Sequence, residues 1–399
     1  MSGYECSGTR IHSRPGRAWL RAAATLFAIA YGANQFSSLM VMYREQAHYS
    51  AVAVAAFFGV YAAGLVPGLL LGGPASDRWG RRRLLLPALV VSAPASGVLA
   101  LGGVAAVSEA ALYTGRFAFG VVTGIAMAVG TSWVKELSQA PWDPEADAGS
   151  GARRAALALS AGFGAGPLVA GVLAQWAPLP MELPYLVHIA LTLVVVAMVA
   201  RLPETRPTGA FRTGLRVRVP LRFRRVVAPM APWAFGAPAL SFAVQPAALG
   251  SRLAGFGLVY ATLLTTVTLG VGMCVQSWAR RLSPGAGSRL GLAALVAGLL
   301  VAAAAAALGS PLLGVPASAV LGAAYGLLLV AGLLEVQRMA EPAQLAGLTA
   351  VYYALTYVGF VLPVLLAALA GAAGYPVLLV GVALLASLSL GVVAWTGRA

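Results

Sequence analysis

Long apolar runs alternate with short polar stretches along most of the chain. Each run holds about 20 residues, enough for one helix to cross the roughly 30 Å hydrocarbon core of a bilayer. The sequence therefore predicts an all-α membrane protein with 12 transmembrane helices. The runs lie near residues 19 to 42, 50 to 72, 84 to 105, 110 to 134, 154 to 177, 183 to 202, 228 to 250, 254 to 277, 289 to 309, 312 to 334, 344 to 370 and 374 to 396.

A basic, proline-interrupted stretch separates the sixth run from the seventh. We expect a tail at residues 1–18, a six-helix bundle at 19–202, a linker at 203–227 and a second six-helix bundle at 228–396. An internal repeat supports this division, as two parallel repeats would. A shift of 199 residues places Gly73, Asp77, Trp79, Arg81 and Arg82 on Gly272, Gln276, Trp278, Arg280 and Arg281.

The composition agrees with a membrane environment. Hydrophobic residues make up 60% of the chain and charged residues 10%, against roughly 45–50% and about 25% in ordinary soluble domains. A soluble fold of this size leaves about a quarter of its unfolded surface in water, so this much apolar surface needs a second apolar medium. We expect that medium to be the lipid bilayer.

The net charge of +15 would suggest nucleic acid as a partner for a soluble protein, but here the basic residues cluster in short loops. If the N-terminus is cytoplasmic, the inner segments hold 24 basic residues and the outer loops only Arg44 and Arg252, with Arg116 inside a run. The positive-inside rule then predicts cytoplasmic termini. We expect a multi-pass protein of the cytoplasmic membrane, that is, the cell inner membrane, without a nucleic-acid partner.

The loop between the second and third runs carries the strongest local signal, Gly73-Pro-Ala-Ser-Asp77-Arg78-Trp79-Gly80-Arg81-Arg82-Arg83. This segment closely resembles motif A of the major facilitator superfamily. Gly73 would let a neighbouring helix approach, Gly80 would permit a tight turn, and the Asp77 carboxylate would act on a helix N-terminus or nearby arginines. The resemblance implies a conformational switch comprising Gly73, Asp77, Arg78, Gly80, Arg81 and Arg82; the alternative is an ordinary basic inner loop.

Two further segments resemble motifs of the same family. Arg116 and Gly120 in the fourth run match motif B, which implies a part in proton coupling, although a structural arginine is the alternative. Gly162, Gly166, Pro167 and Gly171 in the fifth run look like motif C of the exporter branches, although Ala170 replaces one of its usual glycines. A packing face without any bearing on direction explains them nearly as well. Pro203-Glu204-Thr205 resembles a common boundary in this superfamily.

The family fold implies that spans one, four, seven and ten line a central path, with two, five, eight and eleven beside them. Polar and aromatic residues on these spans predict a mostly neutral pocket, although such residues more often serve helix packing. The candidates are Tyr31, Asn34, Ser38, Gln245, Tyr260, Tyr353 and Tyr357.

The chain offers little for catalysis. Three histidines, two separated cysteines and no clustered intramembrane acids predict no enzyme, no metal and no cofactor. The resemblance implies a monomeric secondary transporter that exports small amphipathic molecules in exchange for protons. Asn34 and Gln35 stand where many proton-coupled exporters carry an acid, and His188 is a weak substitute as a proton carrier. Uptake of a sugar or other metabolite, or a non-transporting sensor, stays open.

Overall fold

The computed structural model describes residues 18–104, 108–147, 149–205, 219–253, 255–341 and 344–396. Within these ranges every regular element is a helix. Nine helical segments of the described chain are long and apolar enough to cross a membrane, and Leu183–Val199 is a shorter apolar helix. The prediction of an all-helical, multi-pass membrane protein is therefore confirmed, whereas the count of twelve and the side of the termini stay predictions. Eight of the 24 basic residues predicted on the inner side lie outside the described residues: Arg10, Arg14, Arg17, Arg206, Arg212, Arg216, Arg218 and Arg398.

The first half of the described chain, residues 18–205, contains eight α-helices, and a π-helical turn at Ala126–Gly130 joins the fifth to the sixth. They are α1 Ala18–Asn34, α2 Phe36–Glu45, α3 Ala51–Trp79, α4 Arg81–Ala100, α5 Ser108–Ile125, α6 Thr131–Leu137, α7 Ser150–Trp176 and α8 Leu183–Val199.

The second half, residues 219–396, begins with a π-helical turn at Phe223–Val227, inside the predicted linker. A second π-helical turn, Leu240–Val244, joins α9 to α10, and a 3-10 turn, Val358–Val361, follows α14. The helices are α9 Ala228–Ala239, α10 Gln245–Leu249, α11 Gly257–Ala279, α12 Pro284–Leu308, α13 Pro311–Met339, α14 Leu345–Tyr357 and α15 Leu362–Thr396.

Two local features modify the predicted spans. The first predicted run is two helices, α1 and α2, which meet at Gln35. The last two predicted runs meet within α15, whose helical backbone is interrupted at Gly374, with φ of 68°. Since glycine adopts positive φ without steric cost, this residue marks the boundary that the apolar pattern placed between residues 370 and 374.

Close helix contacts hold each half together. A Cβ atom on Gly64 would collide with the carbonyl of Phe117, and one on Gly120 would collide with the carbonyl of Tyr61, so α3 and α5 touch backbone to backbone. Small residues permit such approach in membrane helices, where packing replaces the hydrophobic effect as the driving force. Among the described residues the first half has one buried core of its own, the second half has several, and one further core joins the halves, with members such as Phe58 and Phe360.

Candidate functional site

The loop between α3 and α4 is fixed by an ion cluster around Arg81, whose side chain is only 7% exposed. Its guanidinium donates to Asp77 at 2.9 Å and to Glu136 of α6 at 3.0 Å, and it also contacts the hydroxyl of Ser76. A charge this buried needs such partners, because removing it from water without them is expensive. Motif A therefore binds its own half of the molecule through Arg81.

The segment after α8 completes this cluster. The Glu204 carboxylate accepts hydrogen bonds from the backbone N–H groups of Arg81 and Arg82, at 2.8 and 3.0 Å, and so caps the N-terminus of α4. The next residue, Thr205, donates its hydroxyl to Glu136. A carboxylate suits a helix N-terminus because unpaired N–H groups and the helix dipole meet there. We call Asp77, Arg81, Glu136, Glu204 and Thr205 the motif A network.

The glycines of motif A behave differently from one another. Gly80 has φ of 103° and ψ of 156°, a conformation that only glycine adopts readily, and a Cβ there would lie 2.5 Å from Glu204. Gly73 has open space within 4 Å of its would-be Cβ. The expected turn at Gly80 is present, whereas the expected helix approach at Gly73 is wrong for this structure.

Arg116 is a buried cation, 1% exposed, enclosed by α1, α2 and α3. It donates to the carbonyls of Ala33 at 2.9 Å and Phe57 at 3.3 Å. Its guanidinium also lies 4.5 Å from the ring centre of Phe36 and 4.6 Å from that of Tyr61. Cation–π contacts of this kind gain strength away from water. Arg116 thus secures the α1–α2 junction against α3.

The polar residues predicted on the first span differ in whether their side chains find hydrogen-bond partners. The Asn34 amide donates to the carbonyl of Phe163 at 2.7 Å, which ties α1 to α7. Tyr31 and Ser38 are buried with hydroxyls that have no hydrogen-bond partner, and both amide atoms of the buried Gln35 also lack one. Buried polar atoms without partners are rare in native proteins. Gln35 was not chosen as a site residue from the sequence.

The α7 glycines make close contacts on both sides of the helix. Cβ atoms on Gly162 and Gly166 would collide with the backbone carbonyls of Phe27 and Tyr31. One on Gly171 would collide with Thr262 of α11, in the other half. Pro167 lies inside α7, between these contacts.

The candidates on the seventh and eighth predicted spans lie in packing contacts. The Gln245 amide donates to Ser318 at 2.9 Å, within a buried hydroxyl cluster with Ser241 and Thr268, while its Oε1 has no partner. The Tyr260 hydroxyl donates to the carbonyl of Pro311 at 3.0 Å. Tyr260 therefore joins α11 to the start of α13.

Tyr357 belongs to an aromatic cluster between the two halves, which we call the central aromatic cluster. Phe58 stacks on Phe360 at 4.4 Å between ring centres and meets Phe242 at 5.8 Å. Tyr357 lies 4.6 Å from Phe235 and 6.2 Å from Tyr61. Tyr353 packs beside them, half-buried. The sequence singled out Tyr353 and Tyr357 only, because the partner rings come from distant segments. The cluster comprises Phe58, Tyr61, Phe235, Phe242, Tyr353, Tyr357 and Phe360.

His188 is fully buried and held by three hydrogen-bond partners. Its Nε2 lies 3.1 Å from the carbonyl of Ala28, which assigns the proton to this nitrogen. Nδ1 then accepts from the Ser96 hydroxyl at 2.7 Å, and Thr192 lies 3.2 Å from Nε2. Within the described ranges, no group of three or more His, Cys, Asp or Glu residues is arranged to hold a metal ion.

These features define a helical, multi-pass membrane protein with an aromatic boundary between two halves and a charged loop at one end. Residues 22–362 match the model of the Major Facilitator Superfamily, and the chain belongs to that family. Membership of this superfamily points to a transporter rather than an enzyme, which is the class that the sequence predicted.

Solved structures show the same fold at low sequence identity. The nucleoside transporter NupG, as a mutant, matches with a TM-score of 0.72 and 12% identity over 94% of this chain and 99% of that one. A POT family transporter in complex with 5-aminolevulinic acid matches with a TM-score of 0.76 and 12% identity over 97% of this chain and 96% of that one. A mutant peptide transporter POT in complex with alafosfalin matches with a TM-score of 0.73 and 14% identity, again over 97% of this chain and 96% of that one. No curated protein sequence matches this chain.

Proposed function

We propose that this transporter exports small amphipathic molecules by alternating access and uses the proton gradient as its energy source. The observation that carries the proposal is a gradient of burial along the boundary between the halves. Phe242 and Phe360 are buried, whereas Phe235 and Tyr353, each seven residues nearer the motif A end, are half-buried. A boundary packed more tightly at one end than at the other suits a protein that opens each end in turn.

The motif A network supports a switching role for the loop between α3 and α4. Arg81 and Glu204 bind this loop to α6 and to the segment after α8, so the loop moves with the first half as one body. We infer that Asp77, Arg78, Gly80 and Arg82 set the balance between the access states. Arg116 and Gly120 are the proposed coupling elements, because they lie where α3 and α5 meet, behind Tyr61 of the boundary.

Direction and topology complete the proposal. The likeness of Gly162, Gly166, Pro167 and Gly171 to the exporter motif favours export. Gly171 contacts α11 of the other half, where a change of access would be felt. We further propose twelve spans in two bundles, cytoplasmic termini, a monomeric state and the cytoplasmic membrane. The described segment 347–396 is long enough for two spans, separated at Gly374.

Uptake or facilitated diffusion of a small metabolite is the second candidate. One observation favours it: in the described ranges every carboxylate lies in a loop or within about four residues of a helix end. A proton-driven exporter commonly needs a titrating group within the membrane. The similar structures carry the names of nucleoside and peptide transporters, so small organic solutes are the expected cargo in either direction.

Dye accumulation in intact cells tests the proposal. Cells with the wild type, Asp77→Asn or an empty vector are loaded with Nile red, which is uncharged, or ethidium, a permanent cation. Gradient-driven export predicts that wild-type cells accumulate less of either dye than empty-vector cells. A protonophore should abolish this difference, and Asp77→Asn should make it smaller. Equal accumulation in all three strains contradicts the export of amphipathic molecules and favours the second candidate.

A further inference from the structure

The turn between α11 and α12 carries a group of exposed arginines. Arg280 and Arg281 directly follow the last residue of α11, and both side chains are exposed. Arg289, the sixth residue of α12, is exposed as well. We call Trp278, Arg280, Arg281 and Arg289 the α11–α12 basic surface. Three positive charges and one indole therefore lie at the same end of these two helices.

Among the described residues, these arginines form no ion pairs, in contrast to their counterpart in the first half. In the first copy of the internal repeat, Arg81 is buried between Asp77 and Glu136. The equivalent positions of the second half hold Gln276, which is uncharged, and Glu335, which pairs with a different arginine. The charges of the α11–α12 basic surface can therefore bind a partner from outside the chain.

The same surface faces lipid. Both helices are long and apolar enough to cross a membrane, and Trp278, near the end of α11, is 47% exposed. The shift of 199 residues places Arg289 on Val90, an apolar residue of α4 that is 46% exposed. Arg289 lies about 8 Å along the helix axis from the start of α12. Its stem can therefore lie in the hydrocarbon while its guanidinium reaches the headgroup region, where tryptophan is also favoured.

We propose that the α11–α12 basic surface binds the headgroup of an anionic phospholipid that carries no cation of its own, such as phosphatidylglycerol. The lipid phosphate accepts hydrogen bonds from the guanidinium groups, which match it in charge and offer several donors each. A choline headgroup brings a cation towards the same three arginines and is disfavoured for that reason. An acidic segment of a soluble protein fits less well, because Trp278 and Arg289 face the hydrocarbon. The proposal does not depend on the direction or the substrate of transport.

A label on Cys274 reports which lipids lie beside this surface. Cys274 is exposed and lies four residues before Trp278, hence on the same face of α11. With Cys6→Ser it is the sole thiol of the chain and takes a bimane fluorophore. The labelled full-length protein is placed in phosphatidylcholine nanodiscs with a small, equal fraction of either phosphatidylglycerol or phosphatidylcholine that carries a nitroxide on its acyl chain.

Because a nitroxide quenches only nearby fluorophores, the ratio of the two quenching constants measures the local enrichment of phosphatidylglycerol. We expect an enrichment of at least about tenfold, since each arginine near an anionic headgroup raises lipid affinity roughly fivefold. Arg280→Gln and Arg289→Gln should each lower the enrichment about fivefold. Arg153→Gln is the matched control and should leave it unchanged, because the Arg153 side chain is 61% exposed but already pairs with Asp147.

The acid that the second half lacks supplies an independent test. Gln276→Asp places a carboxylate four residues before Arg280, the spacing of an ion pair on a helix, so it should lower the enrichment. Its control Gln276→Asn keeps an uncharged amide and should not. Equal quenching by the two labelled lipids in the wild type overturns the proposal. Enrichment that survives Arg280→Gln, Arg281→Gln and Arg289→Gln together also overturns it, since other residues then attract the lipid. Because no flux is measured, failure of the dye assay is a separate result.

Discussion

The contact between Gly80 and Glu204 offers a sharp test of how motif A is held. Gly80 adopts φ of 103° directly before α4, and the Glu204 carboxylate caps the N–H groups of Arg81 and Arg82. A methyl group on Gly80 would lie 2.5 Å from that carboxylate. Gly80→Ala should therefore strain the backbone and also displace the cap.

The two costs can be separated. A non-glycine residue in this backbone region costs about 2 kcal/mol. Loss of a capping carboxylate costs about 1 kcal/mol, with about 0.5 kcal/mol more from the helix dipole. Glu204→Ala should then lower stability by about 1.5 kcal/mol and Gly80→Ala by about 3.5 kcal/mol. Because Gly80→Ala already removes the cap, the double variant should be no less stable than Gly80→Ala alone.

Unfolding of the purified variants in mixed micelles, titrated with SDS and followed by tryptophan fluorescence, measures these differences. Gly73→Ala is the matched control, because Gly73 lies within α3 with open space around it. Alanine should there be neutral or slightly stabilising. Additive costs in the double variant would refute the reasoning, since they would show that Gly80 and Glu204 act independently.

Three further perturbations test other contacts. Asp77→Asn should insert normally but lower turnover, as measured by surface expression beside flux; unchanged flux would deny the carboxylate a switching role. Gly171→Val should lower transport activity more strongly than it lowers stability, because the new side chain meets Thr262 of the other half. Gly371→Val is its control, because Gly371 has open space around it. His188→Ala should lower the thermal unfolding midpoint by leaving Ser96 and the Ala28 carbonyl without their partner, at a cost of about 2 kcal/mol; an unchanged midpoint would contradict this structural role.

Features that depend on the local sequence were predictable. Apolar run length gave the helical membrane fold, and glycine and arginine spacing identified motif A before any contact was known. The turn at Gly80 and the buried position of Arg116 follow the same logic, since positive φ favours glycine and a charge in an apolar run must be enclosed.

Features that depend on distant partners were not predictable. Glu204 reaches a helix N-terminus more than 120 residues earlier in the chain, and its sequence context showed only a family boundary. Phe58 and Phe360 are ordinary apolar residues in their own helices and become a boundary only when the halves meet. No glycine or proline adjoins the interruption at Gln35, whose neighbours are Asn34 and Phe36.

The internal repeat shows why the two halves have different ends. The shift of 199 residues that pairs Arg81 with Arg280 also pairs Glu136 with Glu335. In the first half Arg81 joins Asp77 to Glu136 within the repeat. In the second half Gln276 replaces the acid, and the buried Glu335 pairs with Arg222, at 3.3 Å, from the segment that enters Phe223–Val227.

Burial of a carboxylate is costly without a cationic or hydrogen-bonding partner, and Glu335, which is 1% exposed, has such a partner in Arg222 although position 276 carries no acid. In the second half the partner of Glu335 is Arg222, from the segment that enters Phe223–Val227. In the first half the partner of Glu136 is Arg81, from the loop between α3 and α4 of the same half. The connection between the halves is therefore fixed to α13 by charge at its far end and to α4 by the Glu204 cap at its near end.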